Sequence, residues 1–393
     1  AKKGFAQFSW AFFWMNYKFE DIKKINVSKP LRLDCGKTIK DFPLAYETYG
    51  KLNVEKDNAI LVFHALTGDQ FVSETNPVTK KEGWWSSAVG PDKAIDTNKY
   101  FVICANVIGG CMGSWGPKEK NKKTNEPYGL NFPVITIRDM VKAQETLLDH
   151  LGIKKLLCTT GGSMGGMQLL EFCTTFPNRT FSAVPIACSL SHSAQNIALN
   201  ELARQAIMAD PVWDNGKYLQ KKIQPKNGLA VARMVGHISY LSEKGMQEKF
   251  GRKLQEKTDY EFSFDADFQV ESYLRHQGYT FVERFDANSI LYITRAMDYF
   301  DLSKKFKGGL VEAFRDQKTK YLVISFSSDW LYTTKENKDI VIALNASDAD
   351  VSFSEINTDK GHDSFLVNEP EFLKTLKGFI DSMHTKFKNE KRI

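Results

Sequence analysis

The sequence predicts an α/β protein, with a mostly parallel central sheet flanked by helices and interrupted late in the chain by a helical insertion. Three observations carry this reading. Short, wholly apolar runs alternate with runs of helical spacing over about 59–188, the order that builds a parallel sheet covered on both faces. Helical spacing then dominates 210–306, with no convincing buried-strand run. A strand-like apolar run resumes at 321–326, an alternating one follows at 351–356, and a helical stretch over 371–387 comes after. The expected division is an N-terminal extension over 1–30, a main domain over 31–209 and 307–393, and a helical lid over 210–306 across the carboxyl edge of the sheet.

Composition bounds the function classes. The 393 residues can bury a large core, and 42% hydrophobic with 25% charged residues is the balance of a soluble globular chain. A net charge of +6 is small for this length. The basic runs at 118–123 and 386–392 read as solvated surface, since no nucleic-acid motif accompanies them. Six cysteines (Cys35, Cys104, Cys111, Cys158, Cys173 and Cys188) form no C-x-x-C pair. They read as small buried hydrophobes in a reducing compartment, the cytoplasm, with no zinc site. Lys2 and Lys3 precede an aromatic-rich run over 5–15 that lacks a small-residue cleavage site and is too short to span a bilayer. It is expected to lie outside the main fold, with Met15 as an alternative start.

In chain order, 31–49 holds two strand-like runs, the second alternating through Leu44, Tyr46 and Thr48. The apolar run 59–64 leads into His64-Ala65-Leu66-Thr67-Gly68, and 100–107 into a glycine-rich loop holding Trp115. Met140, Ala143, Leu147 and Leu151 share one face of a helix over 137–151. The apolar run from Leu156 enters Gly161-Gly162-Ser163-Met164-Gly165, and helical spacing follows through Phe172. Strand, G-x-S-x-G and helix in that order are what a nucleophile elbow requires, with Ser163 presented above the sheet. A strand over 181–188 and a helix over 194–208 complete this half.

A serine hydroxyl needs a base, and the base needs an orienting acid. Both candidates follow Ser163 in the order acid, then histidine. Asp329 comes just after the strand 321–326, and His362 just after the strand 351–356. These are the loops where open α/β sheets place their chemistry. Asp329 alone reads as a helix cap and His362 alone as a surface histidine; the ordered combination makes the triad. His64, His237 and His276 precede the acid, and His384 on the last helix reads as solvent-facing. His64 reads as fixing its own turn. The backbone N–H groups of Met164 and Leu66 are the candidate oxyanion donors.

With these motifs in hand, the chain resembles the homoserine O-acyltransferases, the acetyltransferase type of the α/β-hydrolase superfamily. The matching strings include Tyr46-Glu47-Thr48-Tyr49-Gly50, His64 to Gly68, Gly161 to Gln168, and Asn200-Glu201 with Arg204-Gln205-Ala206-Ile207. They continue with Val231-Ala232-Arg233-Met234, Gly236-His237-Ile238-Ser239-Tyr240-Leu241, Glu271-Ser272-Tyr273-Leu274, Arg284 to Ser289, and Gly361-His362-Asp363-Ser364-Phe365. The likeness covers the insertion as well as the general hydrolase site. It implies an α/β-hydrolase fold with a Ser163, Asp329 and His362 triad and Leu66 and Met164 as oxyanion donors. It further implies that Arg233, Tyr240 and Asp363 hold the amino-acid substrate, which suits a guanidinium gripping a carboxylate in a fork.

The implied reaction moves an acetyl group from acetyl-CoA to L-homoserine through an acyl-serine, in methionine biosynthesis. Acyl-CoA is a cosubstrate, and no cofactor, metal, nucleic acid or membrane is implied. The resemblance also implies a homodimer formed through the lid. Succinyl-CoA as donor, serine as acceptor, or plain ester or thioester hydrolysis are the alternatives, and a non-catalytic binding protein is the reading from another class. Trp115 stands where the family carries a small residue, so it is expected either to reshape the acyl entrance or to pack outward.

Overall fold

The computed structural model describes residues 22–315 and 317–391. Its strands are β1 (Lys24–Val27), β2 (Leu31–Arg32), β3 (Thr38–Ile39), β4 (Phe42–Tyr49), β5 (Ala59–Phe63), β6 (Val89–Gly90), β7 (Ile95–Asp96), β8 (Phe101–Ala105), β9 (Leu156–Gly162), β10 (Thr180–Ile186), β11 (Lys320–Phe326) and β12 (Val351–Ile356). Eight of them form one sheet in the order β1-β4-β8-β5-β9-β10-β11-β12. From β8 to β12 every pairing is parallel, whereas β1 with β4 and β4 with β8 are antiparallel. The expected 1–30 extension is corrected at its inner end. Lys24 to Val27 pairs with Ala45 to Phe42 and turns Ile25 and Val27 inward. Four alternating residues are too short a signal to read as a strand alone. Residues 1–21, including the apolar run and Met15, lie outside the described residues.

The helices are α1 (Ile137–His150), α2 (Met164–Thr175), α3 (Ala194–Ala209), α4 (Lys226–Tyr240), α5 (Glu243–Lys249), α6 (Gln269–Val282), α7 (Ala287–Asp298), α8 (Leu302–Lys305), α9 (Gly309–Phe314), α10 (Thr334–Asn345) and α11 (Pro370–Glu390). Strands β9 and β10 are buried along their whole length, because helices cover both faces of a parallel sheet. Alternation within β5 divides the core. Ala59, Leu61 and Phe63 join the cluster with α1 and α2, while Ile60 and Val62 face the cluster holding Leu376 and Ile380 of α11. Helix α1 starts at a capping box, in which Asp139 N–H donates to the Thr136 hydroxyl and Thr136 N–H to the Asp139 carboxylate.

Within 210–306 the described residues form helices and one short loop pairing, Leu254 with Phe268, and Asp301 pairs back to Ser191; no named strand occurs there. Helix α4 packs between α3 and α6, and α7 packs against α3. This layer therefore includes α3, which precedes the expected boundary. Trp115 is neither at the entrance nor turned outward. It is 6% exposed, with its ring 4.2 Å from Phe132 and 5.6 Å from Tyr128, and its backbone N–H donates to the Pro43 carbonyl at 2.9 Å. An indole in that apolar, aromatic surrounding gains more by burial than by facing water. His384 is half-buried, its ring 5.3 Å from Tyr100, not open to solvent.

Candidate active site

Ser163 stands between β9 and α2 with φ 59° and ψ −125°. A non-glycine residue there is strained by about 1–3 kcal/mol and persists only when its surroundings fix it. They do so through close packing. A methyl on Gly165 would lie 2.2 Å from the Phe63 carbonyl oxygen, one on Gly161 2.7 Å from Gly165 backbone, and one on Gly162 2.6 Å from the Phe365 ring. The glycines of the motif are therefore the residues that let strand, turn and helix meet. Ser163 N–H donates to the Ile186 carbonyl at 3.0 Å, tying the elbow to β10.

The loop after β5 is tethered as firmly. Val107 N–H donates to His64 Nε2 at 3.1 Å, which leaves the ring proton on Nδ1 to donate to the Ala65 carbonyl at 2.8 Å. Burial holds the His64 pKa down at about 4, so the ring is neutral. Gln168 donates to the His64 carbonyl at 3.0 Å and Arg284 to the Thr67 carbonyl at 2.9 Å. His64 thus fixes its turn, as its sequence position suggested. Leu66 lies on the cleft wall beside Ser163. Among the described residues the Leu66 amide donates to no acceptor, and the Met164 amide is the first of α2, where no intrahelical partner exists.

Asp329 does not cap α10; Thr333 does, through a capping box with Glu336. Asp329 Oδ1 accepts the amides of Leu331 and Tyr332, each at 2.9 Å, and Oδ2 accepts from His362 Nδ1 at 2.7 Å. His362 is buried among rings, 5.2 Å from Tyr332, 5.6 Å from Phe365 and 6.0 Å from Tyr240. Phe365 in turn lies against Gly162, next to Ser163. Burial opposes the His362 imidazolium, but Asp329, its hydrogen bond and Asp363 outweigh that, so the pKa is raised.

A cleft opens over Ser163. Leu66, Ser163, Arg233 and Tyr240 line it; His362, Asp329 and Met164 are buried and are not among the lining residues. Arg233 Nη1 donates to Thr67 Oγ1 at 3.2 Å, and the guanidinium stands 4.8 Å from the Phe281 ring and 5.8 Å from the Tyr240 ring. Asp363 is half-buried beside His362. Burial raises its pKa, partly countered by His362 and Arg233. Sequence reasoning missed His192, Asn200, Thr294 and Tyr332 on the same walls. They come from three stretches of the chain, 192–200, 294 and 332, and no spacing signal joins them. His237 is committed elsewhere, its Nδ1 3.1 Å from the Tyr273 hydroxyl, and His276 is exposed.

Among the described residues no group of three or more His, Cys, Asp or Glu is arranged to hold a metal, and no helix is long and apolar enough to cross a membrane. A hydroxyl on a strained turn, an Asp-linked imidazole and two uncommitted amides are the parts acyl transfer needs.

Comparison with known proteins agrees. Residues 58–366 match the family model described as the alpha/beta hydrolase fold. A homoserine O-acetyltransferase of Pelagibacter ubique is 66% identical over 366 residues, covering 93% of this chain and 98% of the relative. One from Mesorhizobium japonicum is 58% identical over 361 residues, 92% and 93% of the two chains. Among solved structures, a homoserine O-acetyltransferase from Bacillus anthracis superposes with a TM-score of 0.83 at 28% identity, covering 91% of this chain and 96% of that one. An acetylester hydrolase from Corynebacterium glutamicum does so at 0.75 and 25% identity, covering 92% and 97%. On identity of this extent along nearly the whole chain, the protein belongs to the homoserine O-acetyltransferase family, built on the α/β-hydrolase fold.

Proposed function

We propose that this enzyme transfers the acetyl group of acetyl-CoA to the hydroxyl of L-homoserine, a step of methionine biosynthesis, with Ser163, His362 and Asp329 as its triad. The observation that carries the reading is one cleft with Ser163 on its floor and Arg233 on its wall. A simple esterase needs the first and has no use for a cation fixed beside it. His362 Nε2 takes the Ser163 proton, and Oγ attacks the thioester carbon. The amides of Leu66 and Met164 receive the oxyanion. The C–S bond breaks, His362 returns the proton to the departing thiolate, and an acetyl-serine remains. Homoserine then binds with its carboxylate on Arg233, supported by Tyr240, and its ammonium on Asp363. His362 takes the hydroxyl proton, the alkoxide attacks the acetyl-serine, and Ser163 leaves with the proton. Asp329 holds the imidazole tautomer and stabilises the imidazolium. Acetyl-CoA is consumed as cosubstrate, and no cofactor enters the scheme. The lid keeps water from the acetyl-serine. A homodimer through the lid and a cytoplasmic location complete the proposal.

The test supplies purified protein with acetyl-CoA or succinyl-CoA and with homoserine or serine. Free thiol and O-acyl product are followed. Thiol matched by O-acetyl-homoserine supports the proposal, and a better rate with succinyl-CoA or serine reassigns donor or acceptor. Hydrolysis is the second reading, favoured by the fold shared with an acetylester hydrolase; thiol release without O-acyl product selects it.

A further inference from the structure

A second buried Asp–His pair stands at the cleft wall, where His192 is one of the lining residues, and the mechanism above does not use it. His192 sits in the loop between β10 and α3, and Asp298 is the last residue of α7. His192 Nδ1 is 3.2 Å from Asp298 Oδ1, and its Nε2 is 2.8 Å from the Tyr332 hydroxyl. Asp298 also accepts from Asn200 at 2.8 Å and pairs with Arg204 at 2.7 Å, both residues of α3. The His192 and Asp298 side chains are 1% and 4% exposed. Burial works against the Asp298 carboxylate, but His192, Asn200 and Arg204 outweigh it and hold its pKa below the usual value. Burial, with Tyr240 and Asp329, keeps the Tyr332 hydroxyl protonated. Asp298 can then only accept, so His192 Nδ1–H donates to it, and the opposite ring nitrogen, Nε2, meets the Tyr332 hydroxyl.

Tyr332 is also part of the triad's surroundings. It follows Asp329 by three residues, its amide holds Asp329 Oδ1, and its ring faces His362 at 5.2 Å with a 44° tilt. One residue thus meets the base with its ring, the acid with its backbone amide and the second pair with its hydroxyl. We infer that Asp298, His192 and Tyr332 form a positioning relay that fixes the His362 plane and registers it against lid helices α3 and α7. The inference rests on His362 being the base.

Tyr332→Phe keeps the ring and removes the hydroxyl; His192→Asn removes the Nε2 that meets it. A misplaced base lowers turnover on the order of 10- to 100-fold. Each variant is expected to lose that much kcat, with KM for both substrates within about twofold of wild type and folding confirmed by thermal melts. The double variant should be no slower than either single, because the two residues act as a unit. A kcat at the wild-type level in Tyr332→Phe, losses that multiply, or a KM change alone would overturn the relay. Acylation by p-nitrophenyl acetate gives an independent readout, since it needs neither CoA nor homoserine. A slowed acylation burst in Tyr332→Phe supports the relay even where homoserine transfer fails in the wild type, and an unchanged burst refutes it.

Discussion

Replacing Asp329 by Asn tests the proposed triad most sharply, because the structure dictates how the amide must sit. Oδ1 receives two backbone N–H groups at 2.9 Å, so the Asn carbonyl has to face Leu331 and Tyr332. An NH2 there would meet two donors. The NH2 therefore points at His362 Nδ1, where the carboxylate accepted at 2.7 Å. Nδ1 must then accept, and the ring proton moves to Nε2. The base now presents a proton to Ser163 and has no lone pair to take one. The shape is unchanged, so the fold should stand while turnover falls on the order of 10⁴-fold, as wrong-tautomer triads do. That is about 5.5 kcal/mol of barrier. Thiol release from acetyl-CoA with homoserine measures it. A loss below about tenfold, with a normal melt, would refute the assignment of Asp329 as the orienting acid.

Ser163→Gly should abolish transfer yet stabilise the protein by about 1 kcal/mol, since glycine adopts φ 59° without strain; a calorimetric Tm at or below wild type counts against that. Arg233→Ala should raise the homoserine KM about 10- to 100-fold, the worth of a lost charge-assisted hydrogen bond of roughly 1.5–3 kcal/mol. The acetyl-CoA KM should barely move, and equal effects on both substrates would remove Arg233 from the acceptor site. Activity should fall as pH drops through an apparent pKa above about 6.5, because the raised pKa of His362 keeps it protonated longer than a free histidine; a profile flat to pH 5 contradicts His362 as base. Stability should fall as well, for a different reason. The His64 pKa is depressed to about 4 in the fold, so the unfolded chain binds the proton first. Its contribution is full above about pH 6.5 and is lost towards pH 4, by about 3 kcal/mol. Denaturant titrations at pH 7 and pH 4.5 read the difference, which His64→Gln should shrink.

The sheet was legible because burial on both faces leaves continuous apolar runs at β5, β8, β9, β10 and β11. Ser163 and Asp329 were singled out because each ends or follows such a run, and His362 because it follows the alternating strand β12. Strand β1 was not, being an edge of four residues that gains its partner only in the fold. Trp115 was misjudged because whether an aromatic in a glycine-rich loop turns to solvent or core depends on Phe132, Tyr128 and Phe42, distant in sequence. Tyr332, His192 and Asp298 escaped for a similar reason. Each has an ordinary local role on its own element, and their meeting depends on how α3 and α7 lie over the sheet.

The helical layer that separates β10 from β11 also sets the timetable of synthesis. About 200 residues divide Ser163 from His362, some 10–40 s of translation at typical rates. The elbow strand β9 has its neighbours β5 and β10 early, whereas His362 arrives only after β12. An unfinished chain can thus display its serine but not the imidazole that would make it a nucleophile. On the proposed mechanism, nascent chains on the ribosome spend no thioester, and reactivity switches on only with near-completion. Two fragments divided after β10 would each be inert, and their reassociation would report itself as enzyme activity.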